Sequence, residues 1–376
     1  MNYIPYGKQT IEDDDIDAVI AVLRSDFLTT GPKVEEFEKK LCEVTGAKFA
    51  VAVSNGTSAL CIALASLGLK HGDEVILPPL TFAASSNAVL YCDATPVFAD
   101  IDSETMLLDL ESVKSKINKN TKVIMPVHYG GELCNMAELQ KIADEFDLTI
   151  VQDCAHSLGG RTNNKKLGEF DGLQTWSFHP VKTITTGEGG AITTNDKELY
   201  ERLVLFRSHG ITRDPQKLTN QQVGSWYYEM QALSYNYRIT DIQCALGTSQ
   251  LKKLPKFAKR RSEIVKKYDT AFAGLPIKLQ KSPETSNPVR HLYTIRLKSS
   301  DERFSVFNKL KAAKIGVNVH YIPVYLLPYY QEVGYCKGLC PNAETAYDTL
   351  LTLPLYPLLT DEEVNYVIEK VKESIS

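Results

Sequence analysis

A mostly parallel α/β sheet covered by helices, followed by a smaller C-terminal α+β unit, is the fold this sequence predicts. Three observations point to it. Six short apolar runs, Phe49–Ser54, Glu74–Leu77, Thr95–Phe98, Val123–Val127, Thr149–Gln152 and Leu173–Phe178, alternate with helical segments between Ala47 and about Ile192. Such alternation implies parallel strands joined by crossover helices. Later the order changes to strand His291–Leu297, helix Arg303–Lys314, strand Val317–His320 and closing helices, an α+β pattern. Finally, 376 residues at 43% hydrophobic content suffice for two units with a large core. We place these units at 1–250 and 251–376.

In chain order, Thr10–Arg24 reads as an amphipathic helix, with Ile11, Ile16, Val19, Ile20 and Leu23 at helical spacing and acids from Glu12 to Asp15 in its first turn. Pro32–Val44 reads as a second helix. The run from Phe49 to Leu64 is strand, short polar turn, then helix. From Tyr200 to Asn236 the periodicity weakens. The aromatic stretch Gln221-Gln-Val-Gly-Ser-Trp-Tyr-Tyr228 within it is expected to be an ordered loop, since its rings are costly to leave exposed. Thr240–Leu251 then reads as one helix and Pro255–Ala273 as another, basic one.

Charge and composition narrow the function classes. The net charge is −4, and the basic helix carries Phe257, Ile264, Val265 and Tyr268 on an inward face, so it reads as a solvated surface and no nucleic-acid partner is expected. No apolar run reaches the length of a membrane span, and the first eight residues lack an export signal, so no membrane association and a cytoplasmic location are expected. Cys42, Cys61, Cys92, Cys154 and Cys244 read as small core residues. Cys336 and Cys340 form the one close pair, but a zinc site needs two more ligands, so no metal is expected.

Three stretches suggest chemistry. Lys182 lies between an aromatic strand end, Gln174–Phe178, and the glycine turn Gly187–Gly190. Partial desolvation there lowers an amine pKa and makes it a nucleophile toward an aldehyde; an ordinary loop lysine is the other reading. Asp153 ends an apolar strand, where open α/β sheets bind ligands, and can hold a pyridinium nitrogen protonated; it can equally be a turn residue. Gly56, Thr57 and Ser58 open a helix with free N–H groups and hydroxyls, a phosphate site or simply a cap. Phe82, just past a strand, is a stacking ring or a core residue.

Taken together, Leu28–Pro32, Ser54–Leu60, Gly72–Val75, Thr81-Phe82, Asp153–Ser157, Ser177–Lys182, Gly187–Gly190, Tyr235–Arg238 and Leu353–Tyr356 resemble the DegT/DnrJ/EryC1/StrS sugar aminotransferases, of the fold type I aminotransferases, over nearly the whole chain. That resemblance implies a seven-stranded, mostly parallel sheet in the large domain and pyridoxal 5'-phosphate (PLP) as cofactor. It implies that Lys182 bonds to the cofactor aldehyde, Asp153 pairs with its ring nitrogen and Phe82 stacks on it. Gly56, Thr57 and Ser177 would hold the phosphate, joined by Asn236 from the second subunit of a homodimer; a local helix cap is the alternative for Asn236. His156 would lie near the phenolic oxygen, unless it is a histidine satisfied by a turn. Substrate contacts fall on His320 and Tyr321, with Tyr6, although a strand-end His-Tyr pair can also be mere packing. The implied reaction is ping-pong transfer of an amine from L-glutamate to a nucleotide-linked 4-keto-6-deoxy sugar. The His-Tyr-Ile-Pro form is similar to members acting on a UDP-N-acetylhexosamine in pseudaminic acid synthesis. His128 receives no role. Dehydratase members carry histidine in place of the lysine, so Lys182 argues against elimination; aminotransferase-like regulators carry an added DNA-binding domain, for which the sequence shows no basic helix-turn-helix.

Overall fold

The computed structural model describes residues 2–220 and 224–375. Its main sheet has seven strands: β1 (Phe49–Val53), β2 (Glu74–Leu77), β3 (Thr95–Phe98), β4 (Thr121–Ile124), β5 (Thr149–Asp153), β6 (Leu173–Ser177) and β7 (Gly190–Thr194). They lie in the order β1-β7-β6-β5-β4-β2-β3. Only β7 runs against its neighbours β1 and β6, so the sheet is mostly parallel. The near-continuous burial of β1, β2 and β5 is what a sheet covered on both faces requires.

Four helices near the front of the chain position the site: α1 (Asp13–Leu23), α2 (Pro32–Thr45), α3 (Gly56–Ser66) and α4 (Ala83–Tyr91). Proline at the first position starts α2, and Gly46, at φ 83°, ends it in the left-handed region. The Asn55 side chain caps α3 by accepting the Ser58 N–H at 2.8 Å.

Several elements differ from the expectation. The two helices expected at 240–251 and 255–273 are one helix, Asp241–Phe272, with Pro255 inside it. Proline removes one N–H from a helix interior, but burial of Leu251, Leu254 and Phe257 around it keeps the helix continuous. Val317–His320 forms no strand; Asn318 makes a single bridge to Thr352, and Ile315 one to Ile4. The strand expected at 123–127 stops at Ile124, because Pro126 cannot donate to a ladder and only its carbonyl is used, by Asp153. The seventh strand, β7, begins in a glycine turn, and its small and polar residues give no apolar run for the sequence to announce it. Residues 200–236 are not wholly loop: a helix, Lys197–Arg207, fills their start. The stretch from Gln221 lies partly outside the described residues. In its described part Trp226, expected to be covered, is 74% exposed in the single chain.

Among the described residues the core forms two clusters. One surrounds the large sheet and draws in Val324, Tyr325 and Tyr330; the other joins Ile4 to the far half of the long helix and to the small sheet strands Tyr293–Arg296 and Leu350–Leu353. The N-terminal segment therefore crosses to the second core, and Tyr6 follows directly at the junction. Among the cysteines expected in the core, Cys61, Cys154 and Cys244 are buried, while Cys42 and Cys92 are partly so.

Candidate active site

The carboxyl ends of β5 and β6 and the start of α3 meet at one edge of the sheet, where a cavity of about 670 Å³ opens. Lys182, Asp153, His156, Gly56, Thr57 and Ser177 line it. Phe82 stands at its wall, joined from the N-terminal segment by Tyr6 and from the C-terminal part by His320 and Tyr321. Two of the expected residues do not line it: Ser58, whose N–H and hydroxyl both turn to the Asn55 side chain, and Asn236. Asn236 is exposed, and its backbone bridges to Ser208 beyond the end of the Lys197–Arg207 helix.

Lys182 sits in a loop closed on itself. The Phe178 carbonyl accepts from the Thr186 N–H (3.0 Å) and the Thr185 hydroxyl (3.0 Å), and Phe178 donates to the Gly189 carbonyl (2.8 Å). Gly187 turns the chain at φ 79°. Burial pushes the Lys182 amine down to about 8, with the Asp153 carboxylate opposing it. The neutral amine that a nucleophile needs is then far more accessible near neutral pH than for an ordinary lysine.

Asp153 is buried, and its two oxygens are held separately: the Ser85 hydroxyl donates to one at 2.7 Å and the Ala155 N–H to the other at 3.1 Å. Ser85 was not anticipated. It lies three residues after Phe82, on the first turn of α4, a spacing that puts both on one face.

Three imidazoles crowd the same wall. Burial, then the charge of Lys182 and of His320, holds His156 well below the usual imidazole range. Burial and Lys182 push His320 down to about 4. His291, absent from the sequence expectation, lines the cavity with its ring centroid 4.6 Å from that of His156 and its Nδ1 buried without a hydrogen-bond partner. No local motif marks it. His128 is wholly buried outside the cavity, its Nε2 3.1 Å from Gln152 Oε1 and its Nδ1 accepting from the Cys134 N–H, a packed core histidine.

The model of the DegT/DnrJ/EryC1/StrS aminotransferase family matches residues 9–372. This chain belongs to that family. Among curated relatives, it is 37% identical to the UDP-4-amino-4,6-dideoxy-N-acetyl-beta-L-altrosamine transaminase of Campylobacter jejuni, covering 98% of this chain and 99% of that protein. It is 36% identical to the GDP-perosamine synthase of Escherichia coli O157:H7, over all of both chains. Among solved structures, the Streptococcus pneumoniae protein Spr1654, described as a sugar aminotransferase, superposes with a TM-score of 0.93 at 35% identity, covering 99% of this chain and 98% of that one. That protein has been solved in both PMP and PLP forms. As a member of the family the chain is an aminotransferase that uses pyridoxal phosphate, and its sheet is that of the fold type I enzymes.

The residues present fit the cofactor. A Cβ added at Gly56 would lie 2.9 Å from the Ser177 Cβ and 3.1 Å from its hydroxyl oxygen, so only glycine leaves the start of α3 open beside Ser177. A helix N-terminus with a neighbouring hydroxyl is a phosphate cradle. About the cavity, a fixed carboxylate, a lysine of lowered pKa and an aromatic ring can serve the nitrogen, aldehyde and face of a pyridine.

Proposed function

We propose that this enzyme transfers the amino group of L-glutamate to the C4 ketone of a nucleotide-linked 4-keto-6-deoxy sugar, most plainly a UDP-N-acetylhexosamine, in the cytoplasm, for surface-glycan sugar synthesis. The observation that carries the reading is the meeting of His320 and Tyr321 with Lys182 and Asp153 in one cavity. It is supported by the likeness to the Campylobacter transaminase. The near-equal likeness to a GDP-perosamine synthase favours a second reading, another nucleotide-sugar 3- or 4-aminotransferase.

Pyridoxal phosphate, when bound, supplies the electron sink that stabilises negative charge at the substrate carbon. The chain's own residues do the rest. Gly56, Thr57 and Ser177 would hold the phosphate, and Phe82 would pack on the ring. Asp153, fixed by Ser85 and Ala155, keeps a proton on the ring nitrogen. Lys182 would hold the cofactor's aldehyde carbon, and its Nζ, when free, would take and return the proton of the donor's α-carbon. His156 orients the phenolic oxygen, while Tyr6, His320 and Tyr321 face the sugar. In this reading 1–250 is the cofactor unit and 251–376 the unit that brings His320 and Tyr321 over it.

We also place Asn236 on the phosphate of a partner subunit in a homodimer with shared sites. Support comes from its position outside its own cavity and from Trp226, Leu233 and Tyr235, exposed in the stretch of chain that leads to it. The substrate is tested by loading the enzyme with the aminated cofactor and adding a panel of UDP-, dTDP- and GDP-4-keto-6-deoxy sugars. A spectral return to the aldehyde form with the UDP-N-acetyl sugar is expected. Return only with GDP or dTDP sugars overturns the UDP assignment, and loss of water without amine transfer overturns the reaction.

A further inference from the structure

The turn 129–132 holds two residues of the site. Gly130 donates its N–H to His156 Nδ1 at 3.3 Å, and the Tyr129 hydroxyl donates to the His320 carbonyl. Its other side is welded to 289–292. The Gly130 carbonyl accepts from the N–H groups of His291 (2.8 Å) and Leu292 (3.1 Å). A Cβ on Gly131, at φ 97°, would lie 2.4 Å from the Val289 carbonyl oxygen and 2.8 Å from the His291 nitrogen, so the two backbones touch.

A buried ion pair locks this contact. Arg290 Nε lies 2.6 Å from Glu132 Oε1, and Glu132 is wholly buried. The Ser282 and Ser286 hydroxyls donate to the two Glu132 oxygens at 2.6 and 3.1 Å, while Arg290 Nη1 donates to Gln280 Oε1 at 2.7 Å. Such a pair adds little net stability after desolvation, but removing one partner is costly, so its value lies in geometry.

The consequence falls on His156. An Nδ1 that accepts a backbone N–H leaves the proton of a neutral imidazole on Nε2. That atom faces the Tyr321 hydroxyl at 3.3 Å. The His291 ring packs at 4.6 Å, and the Tyr321 ring lies within 19° of parallel at 6.2 Å, so two further rings restrict the imidazole.

We propose that the Glu132–Arg290 pair is a positioning element for catalysis: acting through the Gly130 peptide, it holds His156 as the Nε2–H tautomer, a hydrogen-bond donor toward the cavity and not a base. The catalytic half of this inference rests on the cofactor site proposed above; the tautomer is a property of the chain itself. Protein labelled with ¹⁵N-histidine is therefore studied by long-range ¹H–¹⁵N correlation, without and with PLP, with His156→Gln assigning the signals. A bare Nδ1 and protonated Nε2 are expected in the wild type. Glu132→Gln is expected to mix the tautomers and to lower kcat about ten- to hundredfold, the scale of a small misplacement, with little change in sugar KM. Glu132→Gln/Arg290→Gln, which leaves no unpaired charge, guards against misfolding and is expected to show the same mixing. A protonated Nδ1 in the wild type, or an unmixed Nε2–H tautomer with unchanged kcat in the folded variants, overturns the proposal. Failure of the wild type to take up PLP overturns the cofactor site and the catalytic half alone, while the tautomer is still decided on the cofactor-free protein.

Discussion

The covalent task proposed for Lys182 comes with a cost to the fold. Burial lowers its amine to about 8, against roughly 10.4 in an unfolded chain. Below pH 8 both states are protonated, and the folded one carries a desolvated cation. Between about 8 and 10.4 the unfolded chain binds more protons, so stability rises with pH across that window. Lys182→Met should therefore stabilise the cofactor-free protein near pH 7, on the order of 2–3 kcal/mol, with the gain fading toward about pH 10.4. Urea unfolding at the two pH values measures this. The same variant should have no turnover, and borohydride should no longer fix the cofactor to the chain. Asp153→Asn is expected to fold and bind cofactor but lose transamination by several orders of magnitude, because a neutral amide cannot hold the ring nitrogen protonated. Near-normal single-turnover rates would remove Asp153 from the site.

The start of the long helix Asp241–Phe272 ties three parts of the site scaffold together. Thr240 and Gln243 cap each other: the Thr240 hydroxyl accepts from the Gln243 N–H at 3.2 Å, and Gln243 Oε1 accepts from the Thr240 N–H at 3.0 Å. The Gln243 amide also donates to the Glu188 carbonyl at 2.6 Å, within the turn that follows Lys182. Asp241 is buried and accepts the N–H groups of Gly31 and Lys33 at 2.8 and 2.9 Å, where α2 begins. Thr240→Ala should cost about 1 kcal/mol, the usual price of an N-cap. Asp241→Ala should cost more, roughly 2–4 kcal/mol, since two charge-assisted bonds are lost at once. Equilibrium unfolding in urea ranks the two; an equal or smaller loss for Asp241→Ala would refute the role given to it in joining the helices.

A single chain leaves apolar surface that a globular protein rarely shows. Leu233 is 88% exposed and Tyr235 59%, beside Asn236. Leu233→Asp is expected to weaken the proposed dimer, read as a concentration-dependent shift to monomer in sedimentation velocity. Mixing tests whether sites are shared. Chains carrying Lys182→Ala and chains carrying Asn236→Ala, each impaired alone, should regain activity when subunits exchange, because one site of each mixed dimer then holds both native residues. No recovery despite proven exchange and a clear Asn236→Ala defect would place Asn236 outside the phosphate site.

Local chemistry made much of this protein legible in its residues. Strands such as Phe49–Val53 declare themselves by apolar β-formers, and the glycine turn near Lys182 and the strand-ending Asp153 are visible because a sheet edge places such residues where ligands bind. Contacts between distant segments were not legible. His291 reaches the wall of the cavity only because Gly130 and Gly131 let 289–292 lie against them, and Ser85 reaches Asp153 only because β2 and β5 lie on either side of β4. Pro255 looked like a break because proline propensity is local, whereas the burial that carries the helix through it is not. The tautomer of His156 depends on one backbone N–H 26 residues away in the chain, and which nitrogen meets it is a matter of tertiary geometry that no spacing in the sequence encodes.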